Sequence, residues 1–340
     1  MPKRLITYAL PVYNEAGSLD RLFQALTEAT DGLKERYDLE FLFVNDGSQD
    51  SSLAALYALQ ARDPRITVIN FARNFGHQVA VTAALDHASG DAVIIMDTDL
   101  QDPPAVSLDL IRMWEQGYDV AYAQRRTRKD SVFKRLTAKA FYWVLERLAD
   151  VEIPRDTGDF RLVDRRVVDA LGTMRERDRF LRGLVSWVGF RQIAVPFDRD
   201  ERFAGTTGYP LRKMIKFAAD GILSFSTLPL KFITRIGLAF SLLSGVGILY
   251  ALLTKLVTPS VAVPGWAFLA IAIFALGGVQ FLMLGVLGSY LGRVYSQVQG
   301  RPLYIVESVR EAKHLGTQAR SGETEVPDAA DGDAAAADAS

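Results

Sequence analysis

The stretch VIIMDTDLQDPP, Val93 to Pro104, decides how this chain folds and what its folded edge is for. An apolar run with the character of a buried strand stops at Asp97, Asp99 and Asp102, with Gln101 among them. Carboxylates a few Å apart repel, and desolvation penalises each of them. Such a cluster at a strand end needs a cation. Alternation along an extended or turning chain lets Asp97, Asp99 and Gln101 face one ligand. Hard oxygen donors that leave positions open suit Mg2+ or Mn2+ bridged by a nucleotide diphosphate. The competing view is a solvated turn, and Asp102 before Pro103-Pro104 reads as the N-cap of the next helix.

Outward from that stretch the pattern repeats. RLITYALPVY precedes a helical segment from Ser18, LEFLFVND one from Ser51, RITVINFA one from Gly76 and DAVIIMD one from Pro103; YDVAYA closes the series. Short apolar runs spaced by helical segments predict βαβ units and an α/β fold on a mostly parallel sheet. Right-handed crossovers then bring the strands' carboxyl ends to one edge, where open α/β sheets bind ligands. Asn14-Glu15, Asp46-Gly47-Ser48, Arg73-Asn74-Phe75-Gly76 and the Asp97–Gln101 cluster all fall at those ends. No G-x-G-x-x-G follows the first strand and no G-x-x-x-x-G-K-[ST] occurs, so dinucleotide and P-loop signatures are missing. His77, His87 and His314 lack metal-ligand spacing and read as surface or packing residues.

The 340 residues carry a net charge of −1, which provides no global field for nucleic acid. Without cysteine there is no disulfide framework and no thiolate site. A mean hydropathy of +0.09 alongside 23% charged residues requires a local apolar surplus. It lies past residue 230. IGLAFSLLSGVGILYALLT (236–254) and PGWAFLAIAIFALGGVQFLMLGVLGSYLG (264–292) are uncharged, and each is long enough for a ~30 Å hydrocarbon core. Lys231 and Arg235 precede the pair, Arg293 and Arg301 follow it, and only Lys255 lies between. The positive-inside rule places both termini in the cytoplasm. No signal peptide is expected, since LITYALPVY is too short. The expected organisation is a cytoplasmic domain over 1–200, amphipathic interface helices over 201–231, two transmembrane helices over 232–292, a cytoplasmic return over 293–315 and a disordered acidic tail over 316–340.

The segments PVYNEAGSL, VNDGSQDSS, RNFGHQVAVTAAL and MDTDLQDPP, in that order, resemble family 2 glycosyltransferases of the GT-A fold. With DTGDFRLVDR, RFAGTTGYPLRKM and LGRVYSQVQGRPLYIV, the chain resembles the polyisoprenyl-phosphate glycosyltransferases, the group of dolichyl-phosphate mannose synthase and the bacterial bactoprenol glucosyltransferases. The likeness spans roughly residues 5–306. Thr98 stands where alanine is common in the family's D-A-D, a harmless change if its side chain points away. The Q-x-x-R-W segment of processive synthases is absent, which argues for transfer of a single sugar.

The resemblance implies roles for individual residues. Pro11, Tyr13, Glu15 and Asp46 would line the nucleoside pocket, and Asp97, Asp99 and Gln101 would hold the metal and donor diphosphate. Asp159 aligns with the residue proposed as catalytic base; because a phosphate acceptor is already ionised, it should act mainly by position. Arg125, Lys134 and Arg135, on or before an amphipathic segment with a basic face, match the acceptor-phosphate site, and Arg202 would close over the donor diphosphate. The implied enzyme is an inverting, metal-dependent hexosyltransferase in the cell (inner) membrane. It would join a nucleotide sugar, UDP-glucose before GDP-mannose, to polyprenyl (undecaprenyl) phosphate. A nucleotidyl- or phosphosugar-transferase and a non-catalytic sugar-nucleotide scaffold are the rival classes, and self-association into a homo-oligomer stays open.

Overall fold

The computed structural model describes residues 3–125, 157–177, 179–198, 232–239, 242, 246, 249 and 266–312. Four parallel strands form the centre: β1 (Arg4–Val12), β2 (Tyr37–Asn45), β3 (Ile66–Phe71) and β4 (Ala92–Ile95). The helices between them are α1 (Leu19–Thr30), α2 (Ser52–Arg62) and α3 (His77–His87). After β4 come α4 (Val106–Glu115), β5 (Val120–Arg125), β6 (Thr157–Asp164), α5 (Arg165–Thr173), α6 (Leu181–Trp187) and β7 (Gln192–Phe197). A long helix, α7 (Trp266–Val298), and a last strand, β8 (Val306–Arg310), follow.

The strands line up as β7-β5-β6-β4-β1-β2-β3-β8. Period-2 alternation sends their side chains into two cores. Ile6, Tyr8 and Leu10 with Phe41 and Phe43 pack under α1, α2 and α4. Ala9, Leu42, Val44, Val93 and Ile95 pack under α3, α5 and α6. Both faces are covered, which is why the central strands read as continuous apolar runs rather than alternating ones. The alanines of α3 (Ala80, Ala83, Ala84) are fully buried and let that helix lie close on the sheet.

The mostly parallel sheet expected from the sequence is present, and two details refine that reading. The sheet is mixed: β6 runs antiparallel to β4 and β5, and β8 antiparallel to β3. β6, formed by TGDFRLVD, is inserted between β4 and β5, so its amino end meets the carboxyl ends of β4 and β5. Second, α4 starts later than read, at Val106 with Ala105 at the cap position. The carbonyls of Pro103 and Pro104 accept from the Val106 and Ser107 N–H groups, so a tighter turn precedes the helix.

Among the described residues no helix is long and apolar enough to cross a membrane. Within α7, however, the side chains at 266–268, 270, 271, 274, 275, 278 and 282 lie outside the described set. The helix itself is 33 residues long and its sequence is uncharged from Trp266 to Gly292. Many of its described apolar side chains, Leu269, Ile273, Phe281, Leu284, Leu287 and Leu291 among them, are exposed, as are Phe232, Leu238, Leu242, Val246 and Leu249, while Val279, Met283 and Val286 are half-buried. Lys134, Arg135, Arg202, the 201–231 segment and the 316–340 tail lie outside the described residues.

Gly47 ties the sheet to its functional edge. Its φ is +62°, and a Cβ there would sit 2.5 Å from the backbone C of Arg73 and N of Asn74. Gly47→Ala should therefore cost roughly 2 kcal/mol or more, from left-handed strain and displacement of the 73–76 loop. The check is the thermal midpoint, expected to fall by about 4 °C or more. An unchanged midpoint would mean that the loop yields without cost.

Candidate active site

The backbone turns sharply as soon as β4 ends. Thr98 Oγ1 donates to the Pro11 carbonyl at 2.9 Å, so this buried side chain points back into the fold. Asp99 Oδ1 accepts from the Gln101 N–H at 3.1 Å, an Asx-type turn around Leu100, whose φ is +60°. A leucine in that region is strained by about 1–2 kcal/mol. Asn14, at the end of β1, is the other non-glycine residue with positive φ among those described. Strain of this kind collects where a surface must be held in shape for a ligand.

Asp97 sits in a cleft, its side chain 32% exposed while its Oδ1 is buried and accepts no hydrogen bond. Burial pushes its carboxyl up; His77 opposes that, and Asp159 and Asp99 add to it. A buried carboxylate oxygen without a donor, a second carboxylate two residues on and Gln101 beside it form an oxygen donor set suited to a hard divalent cation. Among the described residues no group of three or more His, Asp or Glu is placed to hold a metal ion. Such a cation would need further oxygens from a ligand.

Asp159 arrives from the opposite direction, at the amino end of β6. The pairing of Ile95 with Arg161 brings it level with Asp97. It is buried, yet its Oδ1 accepts from Arg182 Nε at 2.7 Å, and its Oδ2 lies 3.1 Å from His77 Nε2 and 3.2 Å from Gln78 Nε2. Burial alone would raise its pKa; the His77 bond and the Arg182 charge override that and hold it far below the usual carboxylate range. His77 Nε2 also lies 3.5 Å from Asp97 Oδ1, so one imidazole bridges two carboxylates. Desolvation would lower the His77 pKa, but the Asp159 bond and the Asp97 charge raise it. Arg161 is buried beside them and donates to the Gly158 carbonyl at 3.0 Å; burial lowers its pKa to about 10, still cationic at neutral pH. Arg125, at the end of β5, lies against the same turn, its Nη2 within 3.7 Å of where a Gly158 Cβ would stand.

At the other end of the edge, Pro11 is buried and Tyr13 exposed. The Glu15 N–H donates to Ser52 Oγ, and its Oε2 accepts from Ser18 Oγ, which ties it to the starts of α1 and α2. Asp46 is buried and pins the β3–α3 loop. Its Oδ1 accepts from the Phe75 N–H at 2.7 Å, and its Oδ2 from the Gly76 N–H at 2.9 Å and Asn74 Nδ2 at 3.0 Å. An ionised carboxylate offers about four acceptor positions, so three of Asp46's serve this loop.

Among the described residues the structure thus gathers Asp97, Asp99, Gln101, Asp159 and Arg125 around one cleft, with Pro11, Tyr13, Glu15 and Asp46 along the same edge. It also adds three residues that sequence reasoning missed: His77, Gln78 and Arg182. His77 lies at the surface, as it was read, but it follows the Arg73–Gly76 cluster directly and so starts α3 on the same edge, where its ring meets both carboxylates. Nothing local marks Arg182.

Residues 7–172 match the model of Glycosyl transferase family 2. The chain is 48% identical to the uncharacterized glycosyltransferase YkcC of Bacillus subtilis (strain 168), over 89% of this chain and 94% of that one. It is 47% identical to an uncharacterized glycosyltransferase of Synechocystis, over 91% and 97%. It is 39% identical to the prophage bactoprenol glucosyl transferase homolog of Escherichia coli (strain K12), over 90% and 99%. The chain belongs to glycosyl transferase family 2. It is a glycosyltransferase, and the cleft around Asp97, Asp99 and Asp159 is its candidate active site.

In this glycosyltransferase, Arg182→Ala should leave the Asp159 carboxylate short of its main cation. Breaking a buried pair costs about 3–5 kcal/mol, and the partial exposure of Arg182 reduces that to roughly 2–4. Because the folded pKa of Asp159 is depressed, the stabilisation is complete above the unfolded value of 3.8 and is lost as pH falls below it. Denaturant unfolding should accordingly show a large difference between wild type and variant at pH 7 that shrinks below pH ~4. A difference independent of pH would mean that the charge of Asp159 is not what Arg182 stabilises.

Proposed function

We propose that this glycosyltransferase moves one hexose, glucose from UDP-glucose, onto polyprenyl phosphate at the cytoplasmic face of the membrane, with inversion at the anomeric carbon. The observation that carries the proposal is the arrangement of charge: Asp97 and Asp99 after β4 make an acidic wall, and Arg125, Arg182 and His77 gather around Asp159 beside it as a basic one, with His77 reaching both. The acidic wall suits a metal-bound diphosphate and the basic wall an acceptor phosphate. The name of the Escherichia coli relative, a bactoprenol glucosyl transferase homolog, supports the same acceptor and sugar. A helix whose sequence is uncharged from Trp266 to Gly292 and which exposes many large apolar side chains supports a bilayer as its surroundings, because water would penalise that surface. The helical segment containing Gly237 lies against it, with Met283 Cε 3.5 Å from where a Gly237 Cβ would stand.

Asp97, Asp99 and Gln101 would hold Mg2+ or Mn2+, which when bound neutralises charge developing on the leaving diphosphate. The protein's own residues do the rest. Arg125 and its neighbouring cations attract the acceptor phosphate and orient it toward the anomeric carbon. Asp159 is engaged by Arg182, His77 and Gln78, and its depressed pKa makes it a poor proton acceptor. A phosphate monoester has its second pKa near ~6 and reaches the site largely dianionic, so little proton removal is needed. Asp159 thus positions the basic wall.

Purified protein given polyprenyl phosphate, Mg2+ and either UDP-glucose, UDP-galactose or GDP-mannose should form glycolipid and nucleoside diphosphate, fastest with UDP-glucose. Release of nucleoside monophosphate would place the enzyme in a different reaction class, and a preference for GDP-mannose would overturn the donor. Asp99→Asn should lower turnover about 100-fold or more, close to 2.7 kcal/mol of lost transition-state stabilisation. Undiminished wild-type turnover in excess chelator would remove the metal from the scheme.

Asp159→Asn should also lose most activity, and raising the pH well above ~6 should not restore it. Recovery at alkaline pH would make Asp159 a base after all.

A further inference from the structure

Away from the catalytic cleft, α7 ends against the α5–α6 loop and the end of α3, and a cavity of about 480 Å³ opens between them. Its lining includes Asp86, Arg175, Arg177, Gln297, Arg301 and Tyr304. Gln297, in the last turn of α7, clamps the loop: its Oε1 accepts from the Arg177 N–H at 2.9 Å and its Nε2 donates to the Arg175 carbonyl at 3.0 Å. Asp86 is already neutralised, its Oδ2 accepting from Arg175 Nη1 at 2.7 Å and from Tyr304 OH at 2.9 Å. Tyr304 stacks on Phe71 of β3 with ring centroids 5.2 Å apart, which fixes the wall to the sheet. Gly300, at φ +62°, turns the chain so that Arg301 follows directly on the helix end.

What remains is a surplus of positive charge. Neither the Arg177 nor the Arg301 guanidinium makes an ion pair or side-chain hydrogen bond among the described residues, although both line a cavity whose single carboxylate is already paired. The cavity also has a defined depth. The uncharged run of α7 stops at Gly292, and Ser296, the first lining residue on the helix, lies about 6 Å further along at 1.5 Å per residue. That distance matches the ~5–7 Å headgroup layer on each side of a bilayer core.

We propose that this cavity is a binding site for the phosphate of an anionic membrane lipid, held by Arg177 and Arg301 and separate from the acceptor site. It rests on the membrane placement of α7 given above. Occupancy would fix the catalytic domain to the headgroup layer through the Gln297 clamp, limiting the tilt of the cleft relative to the bilayer. Guanidinium groups suit the phosphodiester of such a lipid, since they present paired donors to phosphate oxygens.

The test uses the full chain in neutral detergent, titrated with fluorescent phosphatidylglycerol or phosphatidylcholine, with inorganic phosphate as competitor. Wild type should bind phosphatidylglycerol in preference to phosphatidylcholine, and millimolar inorganic phosphate should displace it only weakly. Arg177→Ala with Arg301→Ala should weaken phosphatidylglycerol by about 25-fold, roughly fivefold for each charge. The double lysine variant should retain part of the affinity. A matched loss of two charges elsewhere, Arg36→Ala with Arg112→Ala, should leave it intact. Glycolipid synthesis in detergent, with polyprenyl phosphate as the only anionic lipid, should be the same for wild type and the alanine pair, which also shows that the variant is folded. Equal binding of both lipids by wild type, or unchanged affinity in the alanine pair, overturns the proposal. Binding of inorganic phosphate without lipid preference overturns the lipid assignment. A wild-type protein that fails even to insert into neutral vesicles would refute the membrane placement itself, a result distinct from the others.

Discussion

Like-charge repulsion is the constraint on which the rest of the site depends. Asp97, Asp99 and Asp159 converge on one cleft, two of them at a strand end where water is scarce. No fold keeps such a group without cations, and the chain supplies several of its own: His77 between Asp97 and Asp159, Arg182 on Asp159, and Arg161 behind both. The two pKa shifts run in opposite directions. Asp159 has fixed cationic partners and is held ionised, while Asp97 has an oxygen with no donor and is pushed up. Asp159 is therefore satisfied by protein, while Asp97 keeps a buried oxygen that accepts no hydrogen bond.

The sheet exists in the form it does because β6 runs backward. If TGDFRLVD lay parallel to β4, Asp159 would emerge at the far edge, away from Asp97. Antiparallel insertion brings its amino end to the ligand edge, between the ends of β4 and β5. Arg125 and Asp159 thereby become neighbours despite the long segment between them. The same logic holds at the other side of the sheet, where β8 returns after α7 and pairs antiparallel with β3. Asn70 connects the two sides: it accepts from Asn45 Nδ2 and donates to Glu307 of β8, so the strand leaving the helix contacts the end of β2 beside Asp46. Through β8, the long helix α7, the sheet and the cleft are joined in one path.

Stability and function divide along that path. The two cores on either side of the sheet are apolar and dense, with Tyr8, Phe41, Phe43 and Phe160 among their fully buried side chains. Along the edge the backbone is strained at Leu100 and packed hard at Gly47, and polar groups replace apolar ones. Strain there is tolerable because the cores over-determine the strands that carry it.

The amino-acid sequence by itself determined the alternation of strands and helices, since period-2 and helical patterns are local and each covers one element. It also determined that four polar clusters share an edge, because right-handed crossovers leave little choice about where β-strand ends go. Asp97 and Asp99 were picked out in this way, whereas Asp159 was picked out only through the likeness to a known family. Only the tertiary structure decided that β6 is inserted between β4 and β5, that α4 starts as late as Val106, and that His77, Gln78 and Arg182 surround Asp159. Strand order and ion pairing join residues 23 to 82 positions apart, and no local pattern records such a separation. A histidine between two carboxylates looks, in sequence, like any other; the register of β6 against β4 is what gives it both partners.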